Sequence, residues 1–328
     1  MKNIKITTKE SEQRLDVFLA DKLSLSRSQV QKMTKNKQII VNDKERTAHY
    51  KIQDGDKIEI IETKKQIDKK TKQTLPKFKI VTETDDYLII NKPSGVIVHG
   101  GEGITELTLV DALIKKYPKI KKVGEDELPA RNAMPSVAQA WRPGIVHRLD
   151  KEASGLMVVA KTQDMFKRLK KEFKERETLK KYYALVHGQI TNETDEINFP
   201  ISRSVKGYKM AALPRRSSDA DKTKTERDAI TQFEIAKKFI NYTLLNITIK
   251  TGRTHQIRVH MSAYSHPIVG DDLYGTKKTR EKNEKLKLNR IFLHAYTLGF
   301  YDLNGEWQEF TTTIPSELKK FLIKIDGK

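Results

Sequence analysis

Pro143-Gly-Ile-Val-His-Arg-Leu-Asp150-Lys-Glu-Ala-Ser-Gly-Leu-Met-Val-Val-Ala160 is the stretch on which the reading of this chain turns. An apolar-leaning entry runs into a polar knot, His147-Arg-Leu-Asp150. The pattern then predicts a turn at Ser154-Gly155 and a strand over Leu156–Ala160. A short polar connection beside a strand is a place where folds mount reactive side chains on a rigid support. Asp150 stands between the cations Arg148 and Lys151. Taken alone, such a string equally describes a structural ion pair at a strand end, so the flanking chain has to decide.

Upstream, Lys79–Val81 and Tyr87–Ile90 read as short strands, followed by the turn Asn91-Lys-Pro-Ser-Gly95 and a helical spacing over Thr108–Tyr117 capped by Thr105 or Thr108. Residues 118–142 show no period and read as an irregular insertion. Downstream, Asp164–Lys174 reads as a helix with a basic outer side, and Lys180–Gly188 as a strand. The polar segment 201–228 is strongly basic. Ala229–Ala236 and Tyr242–Ile249 are expected to pair, and Thr251–Met261 to begin as a turn and become a helix. Ile291–Tyr301 and Trp307–Thr312 form a second hairpin, for which Asn304-Gly305 predicts a type I′ turn. Pro315–Lys324 closes as an amphipathic helix. Many strands, few helices and no strict alternation predict an α+β fold with a mixed, largely antiparallel sheet.

A smaller unit precedes this. Arg14–Leu23 places Leu15, Phe18, Leu19 and Leu23 on one helical face. Ser26-Arg-Ser28 opens a second helix with Ser26 as N-cap; Val30 and Met33 face inward, leaving Arg27, Lys32 and Lys35 to solvent. Ile39–Val41 and Lys57–Ile61 then read as a small hairpin, the second entered by the Asp54-Gly55 turn. The domain organisation expected is therefore a small ααβ-type unit over 1–62, a basic linker over 63–77 and a large domain over 78–328.

Lys and Arg number 63 against 43 Asp and Glu, a net charge of +20 that favours a polyanionic partner, nucleic acid before membrane. No apolar run approaches the ~18 residues of a membrane span, and Met1-Lys-Asn-Ile-Lys-Ile6 lacks a signal peptide's apolar core. A cytoplasmic, membrane-independent protein is expected, and nothing demands more than a monomer. The absence of cysteine excludes disulfides, thiolate metal sites and thiol catalysis. With no His-Glu-x-x-His string, and with His255 and His260 five apart, no metal is expected. No Gly-x4-Gly-Lys-Ser/Thr loop exists for a nucleotide, and Lys151 precedes Ser154 in the reverse of the Ser-x-x-Lys order. What remains is carboxylate chemistry: Asp150 kept ionised by a cation such as Arg258, with an aromatic such as Tyr182 to stack on a base.

The large domain resembles the RluA/RluD-type RNA pseudouridine synthases. The resemblance rests on His147-Arg-Leu-Asp-Lys151 with Ser154-Gly-Leu156, Asn91-Lys-Pro-Ser-Gly95, Lys181-Tyr-Tyr-Ala184, Gly252–His260, His266–Asp271 and Leu293-His-Ala295. It omits the linker, the 118–142 insertion and a basic loop over 276–288. The small unit resembles the S4-type RNA-binding domain through Arg14-Leu-Asp16, Ser26-Arg-Ser28, Ile40-Val-Asn42 and Asp54-Gly-Asp56. Lys209-Met-Ala211 together with that unit most resembles the RluD branch, which modifies large-subunit ribosomal RNA. The resemblance implies that Asp150 is the catalytic aspartate, that Tyr182 stacks on the target uracil and helps handle the proton leaving C5, and that Arg258 holds the Asp150 carboxylate. It further implies Ile257 as a pocket wall, Arg148 near the flipped nucleotide's backbone, and no cofactor. His147 reads as structural. Transfer RNA as substrate, or a non-catalytic RNA-binding assembly factor, are the alternatives; whether Asp150 attacks the base or sugar, or removes a sugar proton, is open at this point.

Overall fold

The computed structural model describes residues 2–7, 10–23, 25, 27–61, 74–101, 104–124, 142–204, 209–212 and 227–327. The chain divides into two compact units, Met1–Gln73 and Thr74–Lys328. Residue 62 of the expected small unit, 63–73 of the expected linker, 125–141 of the insertion, 205–208 and 213–226 of the basic segment, and the cap Ser26 lie outside the described residues.

In the small unit, β1 (Lys2–Lys5) precedes helices α1 (Leu15–Lys22) and α2 (Arg27–Lys35), then β2 (Ile39–Val41), β3 (Lys44–Glu45) and β4 (Lys57–Ile60). The sheet order is β1-β4-β2-β3, antiparallel throughout. The expected hairpin is therefore the middle of a four-stranded sheet. Leu15, Phe18 and Leu19 of α1 and Val30 of α2 are buried against Ile39, Val41 and Ile58, because spacing of three and four residues keeps one helical stripe over the sheet.

The large unit begins with β5 (Lys79–Glu83), β6 (Tyr87–Lys92) and α3 (Leu109–Lys116), whose N-terminus is closed by a reciprocal Thr108–Asp111 capping box. Next come β7 (Ser154–Ala160), α4 (Gln163–Glu175), β8 (Leu179–His187), β9 (Thr194–Ile197), β10 (Ile201–Arg203), β11 (Met210–Ala212), β12 (Thr231–Lys238) and β13 (Tyr242–Ile249). Helices α5 (Gln256–Ala263) and α6 (Lys277–Leu286), strands β14 (Leu293–Tyr301) and β15 (Trp307–Thr311), and helix α7 (Ser316–Asp326) complete it. The nine-stranded sheet runs β5-β6-β7-β14-β8-β13-β12-β9, with β15 on β14. Among the described residues only the β7–β14 pairing is parallel. This is the mixed, largely antiparallel α+β fold that many strands, few helices and no strict alternation predict.

Three local expectations need correction. Ser154-Gly155 is not a turn: both residues lie inside β7, which is buried along its whole length. Gly155 (φ 127°) is needed because a Cβ there would sit 2.2 Å from the Ala295 carbonyl of β14; the turn falls earlier, at Lys151-Glu152. The β14–β15 connection is not type I′, which requires positive φ at both central residues. Only Gly305 (φ 80°) is left-handed, and the Asp302 carboxylate accepts from the Asn304 and Glu306 amides, closing a three-residue loop. Finally, the "basic loop" 276–288 contains α6, capped by the Thr276 hydroxyl; Asn283 on this helix bonds the His187 ring and the Gly270 amide.

Candidate active site

The Asp150 loop is clamped from behind. Lys92, at the end of β6 and fully buried, donates to the carbonyls of Pro93 (2.9 Å), Val96 (2.8 Å) and Lys151 (3.3 Å). The Gly95 amide also donates to the Lys151 carbonyl (2.7 Å), and the Ser94 hydroxyl to that of Glu152. Burial pulls the Lys92 ammonium down to about 7, against the opposing pull of the Asp150 charge. Arg290, half-buried, binds the Ser154 hydroxyl (2.6 Å), and Ser154 in turn meets His294 (2.8 Å). Ser154 is thereby engaged in packing between strands.

Asp150 opens into a cleft of about 500 Å3. Its expected flanking cation is elsewhere: Lys151 pairs with Glu106 at 2.9 Å. The partner is Arg258 of α5, whose Nη1 lies 3.4 Å from Asp150 Oδ2 and 3.6 Å from Glu152. Arg258 is almost wholly buried and is gripped bidentately by Asp271, at 2.7 and 3.0 Å. Asp271 is itself saturated by the Leu273 and Tyr274 amides. Burial works against the Arg258 charge, but Asp271, with Asp150 and Glu152, outweighs it and holds the guanidinium above its ordinary pKa. Arg258 is therefore a fixed cation presented to Asp150, and its orientation comes from Asp271.

α5 can carry such a cargo because its polar residues are satisfied. Gln256 bonds Thr251 and the Ile230 carbonyl, and His260 bonds Thr231 and the Phe199 carbonyl. His255 occupies the left-handed N-cap position (φ 55°) and turns its ring toward the cleft. Ile257, also buried, supplies an apolar wall. Tyr182 of β8 is buried and lines the same cleft; burial, then the Asp150 charge, raises its phenol well above the usual range, so the hydroxyl keeps its proton. His147 accepts the Val158 amide at Nε2 (3.0 Å) and stacks on Phe173, while burial drives its pKa down to about 3. It is a neutral structural ring. Arg148 is exposed and lines the cleft together with Arg142, Lys170, Lys174, Lys180 and Arg253. Burial lowers Lys180 to about 8.

The structure thus brings Asp150, Tyr182, Arg258, Arg148 and Ile257 to one cleft. Arg27 and Lys35 stand exposed on α2 of the small unit, and the Lys32 side chain lies outside the described residues. Sequence reasoning gave no role at this cleft to Asp271, His255 or Tyr274, although all three lie in or just beyond strings that carry the resemblance. Among the described residues no cluster of three or more His, Asp or Glu side chains is placed to hold a metal ion, and no helix is long and apolar enough to cross a membrane.

The fold matches solved human pseudouridylate synthase domains. Human RNA Pseudouridylate Synthase Domain Containing 1 superposes with a TM-score of 0.55 at 25% identity, over 74% of this chain and 85% of that one. Residues 86–263 match the RNA pseudouridylate synthase family and residues 13–58 the S4 domain. The chain belongs to the RNA pseudouridylate synthase family, and is an RNA-modifying isomerase with an S4 domain ahead of the catalytic fold. Its relatives include an uncharacterized RNA pseudouridine synthase, YlyB, of Bacillus subtilis, 32% identical over 98% of both chains. Ribosomal large subunit pseudouridine synthase C of Vibrio parahaemolyticus is 32% identical over 95% of this chain and 92% of its own. Ribosomal large subunit pseudouridine synthase D of Pasteurella multocida is 34% identical over 93% and 89% respectively.

Proposed function

We propose that this enzyme isomerises specific uridines of large-subunit ribosomal RNA, the 23S molecule, with Asp150 as the reacting carboxylate. The observation that carries the reading is a carboxylate held at one oxygen by a buried arginine yet open to a cation-lined cleft beside a buried tyrosine. Relatives named as large-subunit synthases, together with an S4 domain, favour ribosomal RNA over other polyanions.

In the reaction N1–C1′ breaks, the detached uracil rotates, and C5 bonds to C1′ as the C5 proton leaves and N1 gains one. Nothing is oxidised and no group is imported, so the balance closes on side chains alone. The target uridine leaves its stack at a cost of a few kcal/mol, and the cleft cations offset the phosphates that accompany it. Asp150 either attacks the nucleotide or removes a sugar proton; in both routes Arg258, 3.4 Å from one carboxylate oxygen, keeps it aimed. Tyr182 serves as a ring against the base and as a protonated hydroxyl, since its raised pKa makes phenolate chemistry unfavourable at neutral pH. Ile257 keeps the unattached uracil away from water. Arg27, Lys32 and Lys35 of the S4 domain serve as phosphate contacts. We place the protein in the cytoplasm, acting as a monomer.

The test is pseudouridine mapping of total RNA from cells lacking the protein, rescued by wild type or Asp150→Asn. Large-subunit sites restored by wild type alone establish the reading. Loss of transfer RNA sites instead overturns the substrate, and no lost site returns the protein to an RNA-binding factor.

A further inference from the structure

Asp150 has a second oxygen, and the structure gives it a partner that the reaction as derived above leaves unused. His255 Nε2 lies 3.9 Å from Asp150 Oδ1, whereas Arg258 contacts Oδ2. The other ring nitrogen, Nδ1, lies 2.8 Å from the Tyr274 hydroxyl. That hydroxyl also accepts the backbone N–H of Met210, in β11, at 3.0 Å. Lys209, the preceding residue, donates to the Leu273 carbonyl at 2.7 Å, tying the same strand to the same turn.

Hydrogen-bond accounting favours one tautomer. The Tyr274 oxygen uses one lone pair on Met210, and its single proton needs an acceptor. If Nδ1 accepts that proton, every group is satisfied, and Nε2 carries the ring N–H toward the Asp150 carboxylate. In the opposite tautomer Nδ1–H donates to the hydroxyl, the phenolic proton has no acceptor among the described residues, and the Nε2 lone pair faces an anion. The first arrangement wins on both counts. The left-handed backbone at His255 (φ 55°), uncommon for a non-glycine residue, holds the ring in this place.

We propose that His255 is a positioning residue for Asp150, set as the Nε2–H tautomer by a relay from the Met210 amide through the Tyr274 hydroxyl, so that strand β11 helps to orient the reacting carboxylate. The inference rests on Asp150 being that carboxylate. Arg258 and His255 then divide the labour: a permanent cation on Oδ2 and a neutral donor on Oδ1. At 3.4 and 3.9 Å both contacts are longer than a closed hydrogen bond, and catalytic hydrogen bonds commonly tighten only when substrate arrives.

The relay has a pH signature. Burial lowers the His255 pKa; Asp150 opposes this, Arg258 adds to it, and Asp271 and Glu152 are the other charges facing the ring. Protonation puts a proton on Nδ1, which then can no longer accept from Tyr274, and the relay breaks. Activity should therefore fall on an acid limb belonging to His255, below the ordinary histidine range.

The experiment measures single-turnover tritium release from 5-tritiated uridine in total RNA of cells lacking the protein, as a function of pH. Wild type, His255→Asn, His255→Gln, Tyr274→Phe and Asp150→Asn are compared, with RNA affinity and thermal melting alongside. Asn suits the left-handed backbone but does not reach Asp150; Gln reaches it with a neutral N–H. His255→Asn should lose ~10–100-fold in rate, the scale of a misplaced reacting group, with unchanged RNA affinity. His255→Gln should recover part of that loss, and both should lack the acid limb. Tyr274→Phe should move the limb to higher pH, because the neutral ring loses its stabilising donor while the aromatic face over Arg258 remains. If Asp150→Asn is dead while the His255 and Tyr274 variants keep the wild-type rate and limb, the relay is wrong and the site stands. If Asp150→Asn turns over normally, the assignment of Asp150 falls and the relay with it.

Discussion

Arg-Leu-Asp occurs twice in this chain, as Arg14-Leu15-Asp16 in the small unit and as Arg148-Leu149-Asp150 at the cleft. In both, the leucine is buried and anchors the tripeptide. The polar partners differ. Arg14 closes back on Asp16 with two bonds, at 3.0 and 2.8 Å, and Gln31 of α2 adds a third at 2.8 Å. Asp16 is fully buried in the first turn of α1, where a negative charge is favoured. Both carboxylate oxygens are engaged. Arg148 instead turns to the cleft, and Asp150 draws its cation from a residue 108 positions away. Its two contacts are long, and its carboxylate faces open space. A saturated carboxylate is a structural lock, whereas one held loosely by a cation that is itself locked elsewhere retains capacity for substrate.

The largest effect should follow from removing the unsaturated carboxylate. Asp150→Asn is nearly isosteric and should abolish pseudouridine formation, by ~10³-fold or more as for a group that acts in the chemical step, while melting temperature and RNA affinity stay at wild-type values. Turnover near wild type would collapse the contrast between the two tripeptides.

Next in size is the remote cation. Arg258→Ala leaves Asp271 buried without its partner and should cost about 3–5 kcal/mol, read as a lower denaturation midpoint together with lost activity. Arg148→Ala, although adjacent to the Leu149-Asp150 pair in sequence, should change stability by less than ~0.5 kcal/mol. Equal effects of the two would mean that the neighbour, and not α5, supports the carboxylate.

The structural pair comes third. Arg14 holds the Asp16 carboxyl down from 3.8 to about 2. Its folded pKa lies below its unfolded value, so the stabilisation is fully present above pH ~4 and is lost as pH falls through about 2. Because Arg14 is half in water, solvent screens the pair, which adds only a modest amount of stability to the small unit. Arg14→Ala should remove that amount at neutral pH and flatten the small unit's acid unfolding below pH ~4, followed by an S4-domain probe. An acid transition identical to wild type would show that Gln31 and the helix terminus hold Asp16 without Arg14.

The same contrast explains what was legible in the sequence. Amphipathic spacing exposed α1, α2 and α7, and alternation exposed the β12–β13 hairpin, because local periodicity reflects which side is buried. Asp150, Tyr182 and Arg258 were readable from strings that resemble a family. Asp271 was not, since its role is to aim an arginine and nothing in Gly270-Asp271-Asp272 announces which carboxylate does so. Gly155 looked like a turn residue because a close approach of β14 and a reversal both call for glycine. Strand β1 carries a single apolar residue, Ile4, in four, too few to show alternation; it exists because β4 offers a free edge.

The smallest effect concerns the cations that neither tripeptide uses. Arg27 and Lys35 stand exposed on α2, and among the described residues no ion pair holds either of them. If they meet phosphate, each releases counterions on binding, and the slope of log affinity against log salt falls by ~0.7–0.9 for each phosphate no longer neutralised. Arg27→Ala with Lys35→Ala in the full chain should therefore flatten that slope by ~1.4–1.8 while leaving the single-turnover rate at saturating RNA unchanged. The two readouts separate binding from chemistry. An unchanged slope would remove α2 from the RNA interface, and a changed saturating rate would mean that the S4 domain acts on the cleft and not only on the affinity for RNA.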